Sequence, residues 1–160
     1  MRVLVAGIGN IFLGDDRFGV EVVRRLRDRP LGDGVEVVDY GIRGLHLAYA
    51  LTDGRYDAAI LVDAVPRAGE PGTLYVLEPD LGADPGEGLV ADTHTLTPDA
   101  VLAWIRRIGA PLGRVFVVGC EPASVRESME LSAPVAASID SAIATIRDLV
   151  AKLDGAMPCA

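Results

Sequence analysis

The stretch VLVAGIGNIFLGDDRFGVEVV, residues 3–23, decides the fold of this chain. The apolar, β-branched run RVLVAG (2–7) ends in glycine and is typical of a buried strand. A glycine-rich turn with two adjacent acids, Asp15 and Asp16, comes next. Apolar residues then recur at helical spacing, at Phe18, Val22, Val23 and Leu26. A strand, a tight turn and a helix in this order predict the first unit of an α/β sheet.

Strands and helices alternate through the rest of the chain. We predict further strands over 35–39, 57–65, 73–78 and 114–119, and helices over 45–51, from Thr97 onward, and over 133–153. The run DAAILVDAV (57–65) is the most continuous apolar segment, which indicates a central strand covered on both faces. Thr97 is predicted as an N-cap, with Pro98 at the first helical position.

This alternation predicts a three-layer α/β/α fold with a mainly parallel twisted sheet of about five strands. With 160 residues, half of them hydrophobic, the chain suits one domain over 1–160, and we expect 153–160 to form a loose tail. Residues 79–93, rich in glycine, proline and aspartate, are predicted to form a long exposed loop.

The charge of the chain bears on its partners. A formal net charge of -8 argues against nucleic acid and anionic membrane surfaces as ligands. Four arginines do cluster in the first predicted helix, where a solvated face is the favoured interpretation: Arg24, Arg25, Arg27 and Arg29.

The cysteines and the N-terminal segment bear on the compartment. Cys120 and Cys159 form neither a metal-type pair nor a disulfide framework, so a reducing cytoplasm fits best. The N-terminal residues lack the pattern of a signal peptide, and no apolar run approaches the length of a membrane span. We therefore expect a cytoplasmic protein that does not enter a membrane.

Polar residues just past the strand ends are the candidates for a site, because ligands bind at the carboxyl ends of parallel strands. They are Asn10, Asp15, Asp16, Asp39, Asp63 and Glu121. We add His94, which lies three residues before the predicted helix cap and could swing over the same crevice. The other histidine, His46, is better interpreted as a surface or partly buried residue.

These candidates differ in how well a structural role explains them. Asp15 and Asp16 precede a helix, where acids accept backbone N–H groups, so one of them could serve that purpose alone. Asp63 is harder to explain, because a carboxylate inside an apolar strand is costly to bury unless it is paired, hydrogen-bonded or metal-bound.

A dinucleotide-binding module is the main alternative. GIGNIF (7–12) supplies the first two glycines of that fingerprint, and Asp39 ends the second strand as a ribose-binding acid would. Phe12, however, stands where a third glycine is needed, and the acid pair lies where a pyrophosphate would bind.

A divalent metal site is the other interpretation. Asp16, Asp63 and His94 would give two carboxylate oxygens and one imidazole, which leaves coordination positions open for substrate or water.

At this point the sequence resembles a known family, the nickel-iron hydrogenase maturation endopeptidases. The resemblance begins with GIGN (7–10), GDD (14–16) and FGV (18–20). An aspartate ending a central strand and a histidine before a helix follow in order, and VVGCEPASV (117–125) is similar to the family's strand with a Gly-x-x-Pro-x-Ser stretch. Nearly the whole chain is covered.

The resemblance implies that Asp16, Asp63 and His94 bind metal and that Asp39 is an acid near the site. It implies an enzyme that removes the C-terminal extension of a hydrogenase large-subunit precursor after nickel insertion, and we expect it to act as a monomer. Nickel, supplied by the substrate rather than held tightly by the resting enzyme, would be the recognition signal. Arg17 departs from the family, which usually has a small residue there. A noncatalytic nickel-binding chaperone using the same ligands stays open as a third interpretation.

Overall fold

A computed structural model describes residues 1–80 and 97–155 of the chain. Its strands are β1 (Val3–Ile8), β2 (Val35–Gly41), β3 (Ala58–Ala64), β4 (Leu74–Leu77) and β5 (Arg114–Cys120). Its helices are α1 (Phe18–Leu26), α2 (Gly44–Thr52), α3 (Pro98–Arg107) and α4 (Ala133–Gly155), and a 3₁₀ helix, Gly14–Arg17, precedes α1. Most of the predicted loop at 79–93, and residues 156–160 of the predicted tail, lie outside the described residues.

The five strands form one mixed sheet in the order β2-β1-β3-β5-β4. The first four run parallel, with Val3 of β1 paired to Val35 of β2 and to Ala58 of β3. Strand β4 is antiparallel to β5 at one edge, where Leu74 pairs with Cys120. β3 is buried along its whole length, so the prediction that the apolar run at 57–65 forms a central strand is confirmed.

Helices cover both faces of this sheet. Side chains alternate across a strand, so Val3 and Val5 of β1 pack with α1 and α4, whereas Leu4 and Ala6 pack with α2 and α3. The three-layer α/β/α fold with a mainly parallel sheet is therefore confirmed.

Two glycines let α1 lie directly on the sheet. An ideal Cβ on Gly19 would stand 2.0 Å from the carbonyl oxygen of Val62 in β3, and one on Gly7 would stand 2.5 Å from the carbonyl oxygen of Gly19. Side chains at these positions would push the helix away. This contact fixes the start of α1, and the loop that precedes it, at the carboxyl ends of β1 and β3.

The helix boundaries predicted from the sequence lie within about two residues of those in the structure. Thr97 caps α3, because its Oγ1 accepts a hydrogen bond from the backbone N–H of Ala100 at 3.3 Å, and Pro98 is the first helical residue. α4 continues through Gly155, so residues 153–155 are helical. No helix in the described ranges is long and apolar enough to cross a membrane.

The arginine cluster is solvent-exposed, as predicted, and all four of its arginines are exposed. Only Arg24 and Arg25 lie within α1, because the helix ends at Leu26. Arg24 and Arg25 form ion pairs with Glu21 on the same helix, at 3.8 and 3.3 Å. Exposed pairs of this kind contribute little to stability.

Candidate active site

The carboxyl ends of β1, β2, β3 and β5 meet at one edge of the sheet, and the sequence-predicted site residues of the described part of the chain lie along it. Asp39 lies near the end of β2, Asp63 near the end of β3, and Glu121 directly follows β5. Asp16 lies in the 3₁₀ helix after β1. The topology therefore places the predicted acids together, as expected from the strand order.

Asp63 is a buried carboxyl group that accepts one side-chain hydrogen bond from the described residues. It is 3% exposed, and its Oδ1 accepts a hydrogen bond from the backbone N–H of Ala64 at 2.8 Å. Burial raises the pKa of Asp63 well above its ordinary value, and the charge of Asp16 raises it further. The two carboxylates predicted to share a site are thus close enough to repel each other.

Asp16 is held in place by its own loop. Its Oδ2 accepts a hydrogen bond from the backbone N–H of Asn10 at 2.8 Å, and the Oδ1 of Asn10 accepts one from Phe12 at 2.9 Å. Gly9 has a φ of +138°, and a Cβ there would stand 1.8 Å from the carbonyl oxygen of Asp16. Only glycine allows the loop to close on Asp16 in this way.

Asp15, although adjacent to Asp16, has a structural role. Its Oδ2 accepts hydrogen bonds from the N–H groups of Ala123 and Ser124 and from the hydroxyl of Ser132, and its Oδ1 accepts one from the N–H of Ser132. Burial favours a higher pKa for Asp15, but these hydrogen bonds outweigh it and hold the pKa below its ordinary value. Asp15 therefore fixes residues 123–132 against the loop.

Capping of the following helix, the structural alternative for one of these acids, is not seen, although both lie in the first turn of the 3₁₀ helix. Neither the 3₁₀ helix nor α1 has a side-chain cap. Asp15 bonds to a segment more than 100 residues away in sequence, and Asp16 bonds backward to Asn10. The side-chain hydrogen bonds of both acids therefore go to loops rather than to the N–H groups of a helix start.

Glu121 is a second buried carboxylate with a structural role. Its Oε2 accepts hydrogen bonds from the backbone N–H of Arg67 and from the hydroxyl of Tyr75, both at 2.8 Å. Burial favours a higher pKa for Glu121, but these bonds and those from Gly69 and Ala68 hold the pKa below its ordinary value. Glu121 thus secures the segment that follows Asp63.

Asp39 is half-buried at the end of β2. Its backbone carbonyl accepts a hydrogen bond from the guanidinium of Arg43. The neighbouring Gly41 accepts a hydrogen bond from the N–H of Gly9 at 3.0 Å, which ties this strand end to the loop carrying Asp16. Asp39 therefore lies at the same edge, and its role near a metal stays a prediction.

The structure describes one of the two histidines, His46, and not the other, His94. His46 is exposed on α2, as its interpretation as a surface residue requires. His94 lies outside the described residues, so its place in the metal set stays a prediction. Within residues 1–80 and 97–155, no group of three or more metal-ligating side chains is found. The described part of the predicted set is the pair Asp16 and Asp63.

Two features of the site escaped sequence reasoning. Asp99, in the first turn of α3, contributes to the raised pKa of Asp63, so the charge at the start of that helix acts on the site. The sequence carries a signal for Asp99, because it is an acid two residues after Thr97, the predicted N-cap. Arg17 donates a hydrogen bond to the carbonyl of Met129 and pairs with Glu21 at 3.7 Å. No local sequence pattern predicts the contact between Arg17 and Met129.

The structure also explains why the third fingerprint glycine is missing. Close packing of helix on strand is achieved by Gly7 and Gly19, whereas Phe12 is 55% exposed. A dinucleotide site needs the helix start free to receive a pyrophosphate. Here the carboxylate of Asp16 stands in the turn that precedes α1.

Comparison with known proteins gives a consistent result. The model of the HycI hydrogenase maturation protease family matches residues 20–149. The hydrogenase expression/formation protein HupD of Rhizobium leguminosarum bv. viciae is 33% identical over 146 residues, which cover 90% of this chain and 71% of that protein. The hydrogenase 2 maturation protease of Escherichia coli K12 is 32% identical over 150 residues, covering 89% and 87%.

Solved structures agree with the sequence relatives. The hydrogenase-maturating endopeptidase HybD from E. coli superposes with a TM-score of 0.75 at 29% identity, covering 98% of this chain and 94% of that one. The hydrogenase 2 maturation peptidase from Thaumarchaeota archaeon SCGC_AB-539-E09 gives a TM-score of 0.71 at 33% identity, covering 94% and 99%.

Proposed function

This chain belongs to the hydrogenase maturation protease family, and on that premise we propose that it removes the C-terminal extension of a nickel-iron hydrogenase large-subunit precursor after nickel insertion. It is an endopeptidase, as its relatives are. The finer assignment concerns which bond it cuts and what signal it waits for. In this proposal the signal is the nickel ion inside the precursor.

The observation that carries the proposal is the contrast among buried carboxylates. Asp15, Asp63 and Glu121 are the buried acids of the described residues. Two of them have several hydrogen-bond donors each, whereas Asp63 has the N–H of Ala64 and faces the charge of Asp16. A divalent cation between Asp63 and Asp16 would offset both the desolvation and the repulsion.

We assign the third ligand position to His94, following the resemblance. His94 precedes Thr97 by three residues, which limits the distance between their Cα atoms to about 11 Å. Because Asp99 of the same helix start acts on Asp63, that reach is compatible with a shared ion. Two oxygens and one nitrogen suit a borderline cation such as nickel and leave positions for its ligands in the precursor. Asp39 would support the site from the end of β2.

The same donor set explains why nickel would arrive with the substrate. The three assigned ligands include no thiolate, so affinity for free nickel should be modest. A loaded precursor brings an ion already held by its own ligands, and capture by Asp16, Asp63 and His94 then completes the coordination shell. Binding through the ion would hold the peptide to be cut in a near-attack geometry. An unloaded precursor offers no such contact.

The proposal also covers the compartment and the oligomeric state of the enzyme. We place the reaction in the cytoplasm, because the thiol of Cys120 is free and buried and needs no oxidising compartment. We also expect the enzyme to act as a monomer whose protein partner is the hydrogenase large-subunit precursor.

The test is incubation with a nickel-loaded precursor, followed by mass measurement of the large subunit. The proposal expects the subunit to lose the mass of its C-terminal extension with the wild-type enzyme and to keep it with Asp63→Asn. Tight binding without mass loss would instead assign the chain as a noncatalytic nickel-binding chaperone. Calorimetric titration with nicotinamide and flavin nucleotides tests the dinucleotide alternative, and saturable binding would support that alternative.

A further inference from the structure

Several exposed large apolar side chains lie in segments that follow the parallel strands in sequence. The described residues include ten such side chains, and eight of them follow the carboxyl ends of β1, β2 or β5. The other two, Val76 and Ile108, lie on β4 and after α3. Contiguous exposed apolar surface on a soluble protein commonly marks a partner interface. Five of the ten lie in the loops after β1 and β5, which are hydrogen-bonded to each other beside the 3₁₀ helix that carries Asp16.

Five of these side chains come from two segments that form one unit. We call them the rim surface: Ile11, Phe12, Leu13, Val125 and Met129. The backbone N–H of Ser128 donates to the carbonyl of Phe12 at 2.9 Å, and the N–H of Gly14 donates to the carbonyl of Ser128 at 2.8 Å. Leu13 and Ser128 thus form a bridge in which the two segments run side by side.

The rim surface is fixed relative to the candidate site. Asp15 binds residues 123–132 through its carboxylate, and Asp16 follows it directly in the same 3₁₀ helix. Arg17 adds a hydrogen bond to the carbonyl of Met129. The apolar side chains therefore belong to a preformed surface, which binds with less loss of conformational entropy than a flexible loop would.

We propose that the rim surface docks an apolar face of the hydrogenase large-subunit precursor, next to the nickel that Asp16 and Asp63 contact. The inference rests on the proposed function and adds a second contact region to it. Its occupant is a protein rather than an ion, because Phe12, Val125 and Met129 are 55%, 51% and 61% exposed and carry no charge. The surface is continuous with the loop that holds Asp16, so one partner can contact both.

This arrangement separates two contributions. The acids act on the nickel and the peptide to be cut, whereas the rim surface contributes binding energy that is the same before and during the reaction. Binding of that kind affects KM and leaves kcat unchanged. The two kinetic constants also distinguish a loss of docking from a loss of structure. A loss of docking raises KM alone, whereas unfolding lowers the fraction of active enzyme and therefore the apparent kcat.

The test compares exposed apolar residues inside and outside the rim surface. We expect Phe12→Ser and Met129→Ser each to raise KM for the nickel-loaded precursor by about tenfold with kcat within about twofold. The matched controls Val76→Ser and Ile108→Ser should keep KM within about twofold of the wild-type value, because side chains outside an interface contribute little to binding. Thermal unfolding of all four variants verifies that each is folded.

Three outcomes would overturn the inference. Unchanged KM in both rim variants would do so, as would equal increases in the two controls. A wild-type dimer in sedimentation that Phe12→Ser dissociates would assign the surface to a second copy of this chain instead. If the wild-type enzyme cleaves no precursor, the proposed function fails by itself. Calorimetric binding of the precursor to wild type and to Phe12→Ser then decides the docking inference separately.

Discussion

Asp15 and Asp63 are both buried at the carboxyl edge of one sheet, yet hydrogen bonds stabilise the charge of Asp15 and leave that of Asp63 largely uncompensated. Asp15 accepts four hydrogen bonds from residues 123–132. Asp63 accepts one from Ala64, among the described residues, and faces Asp16. Consequently the pKa is lowered at Asp15 and raised at Asp63. The charge of Asp15 therefore stabilises the fold, whereas a charge on Asp63 destabilises it.

Replacing Asp63 by asparagine should remove activity without harming the fold. The amide keeps the acceptor for Ala64 and removes a desolvated charge beside Asp16. We expect the free energy of unfolding to be unchanged or higher by up to about 2 kcal/mol, and precursor processing to be abolished. Urea unfolding and processing are measured on one preparation. An unfolded variant, or one that processes normally, would show that Asp63 has a structural role.

Replacing Asp15 by asparagine should have the opposite effect on stability. The amide nitrogen would face the donors of residues 123–132, so at least one of these N–H groups would lose its acceptor. We expect the free energy of unfolding to fall by about 2 to 3 kcal/mol. The same urea experiment measures it. A variant as stable as Asp63→Asn would refute the distinction between the two acids.

Glu121 should make the stability of the protein depend on pH. Its pKa is below 4.5 in the folded protein and returns to about that value on unfolding. The stabilisation is therefore fully present above about pH 5 and is lost as the pH falls through the folded pKa. We expect the stability difference between wild type and Glu121→Gln to be largest at neutral pH.

Denaturant unfolding of both proteins from pH 7 down to pH 3 measures this difference. It should shrink in the acidic part of the range, because the protonated Glu121 resembles the glutamine that replaces it. A difference that stays constant over the whole series would mean that the charge of Glu121 contributes nothing to folding.

Gly9 should tolerate no side chain, because its position fixes Asp16. Gly9 and Gly32 both have a positive φ, of +138° and +121°. A Cβ on Gly9 would meet the carbonyl of Asp16, whereas nothing lies within 4 Å of one on Gly32. Gly32→Ala should therefore cost only backbone strain, about 1 to 3 kcal/mol, and leave processing intact.

Gly9→Ala should cost more than that and also slow processing, since relief of the clash displaces Asp16. Thermal unfolding and processing rates are measured for both variants. The difference between Gly9→Ala and Gly32→Ala then gives the effect of the clash with Asp16. Equal losses in both would mean that the loop can shift without disturbing the site.

Much of the fold follows from local patterns in the sequence. The apolar run at 57–65 indicates its own burial, and Thr97 with Pro98 predicts the start of α3. These features depend on neighbouring residues alone. The reversal of β4 against β5 is a tertiary outcome, because a four-residue strand after a Pro-Gly turn has no pattern that distinguishes the two directions.

The site is only partly predictable for the same reason. Sequence places Asp15 and Asp16 side by side, and the resemblance, rather than any local pattern, assigns them different roles. The 3₁₀ helix directs them apart, and the donors for Asp15 come from Ala123, Ser124 and Ser132, more than 100 residues later. Likewise, the partner of Arg17 is a backbone carbonyl, which any residue type could supply. Such long-range polar contacts are set by packing and leave no local signature.

His94 should matter for capture of the loaded precursor rather than for folding. We expect His94→Ala to weaken binding of the nickel-loaded precursor and to leave binding of the nickel-free precursor unchanged, because the lost contact is to the ion. Calorimetry with both forms of precursor measures the difference. Equal weakening for both forms would place His94 in a contact with the polypeptide instead.

The most direct measurement compares nickel-free with nickel-loaded precursor in the presence of metal-stripped enzyme, scored by release of the C-terminal peptide. The account predicts cleavage of the loaded precursor alone, with no metal added to the enzyme, because Asp16, Asp63 and His94 grip the ion that the substrate carries. A hydrolytic zinc enzyme would lose activity on stripping and would ignore the nickel of its substrate. Equal cleavage of both precursors, or no cleavage of either until metal is returned to the enzyme, would contradict recognition through nickel.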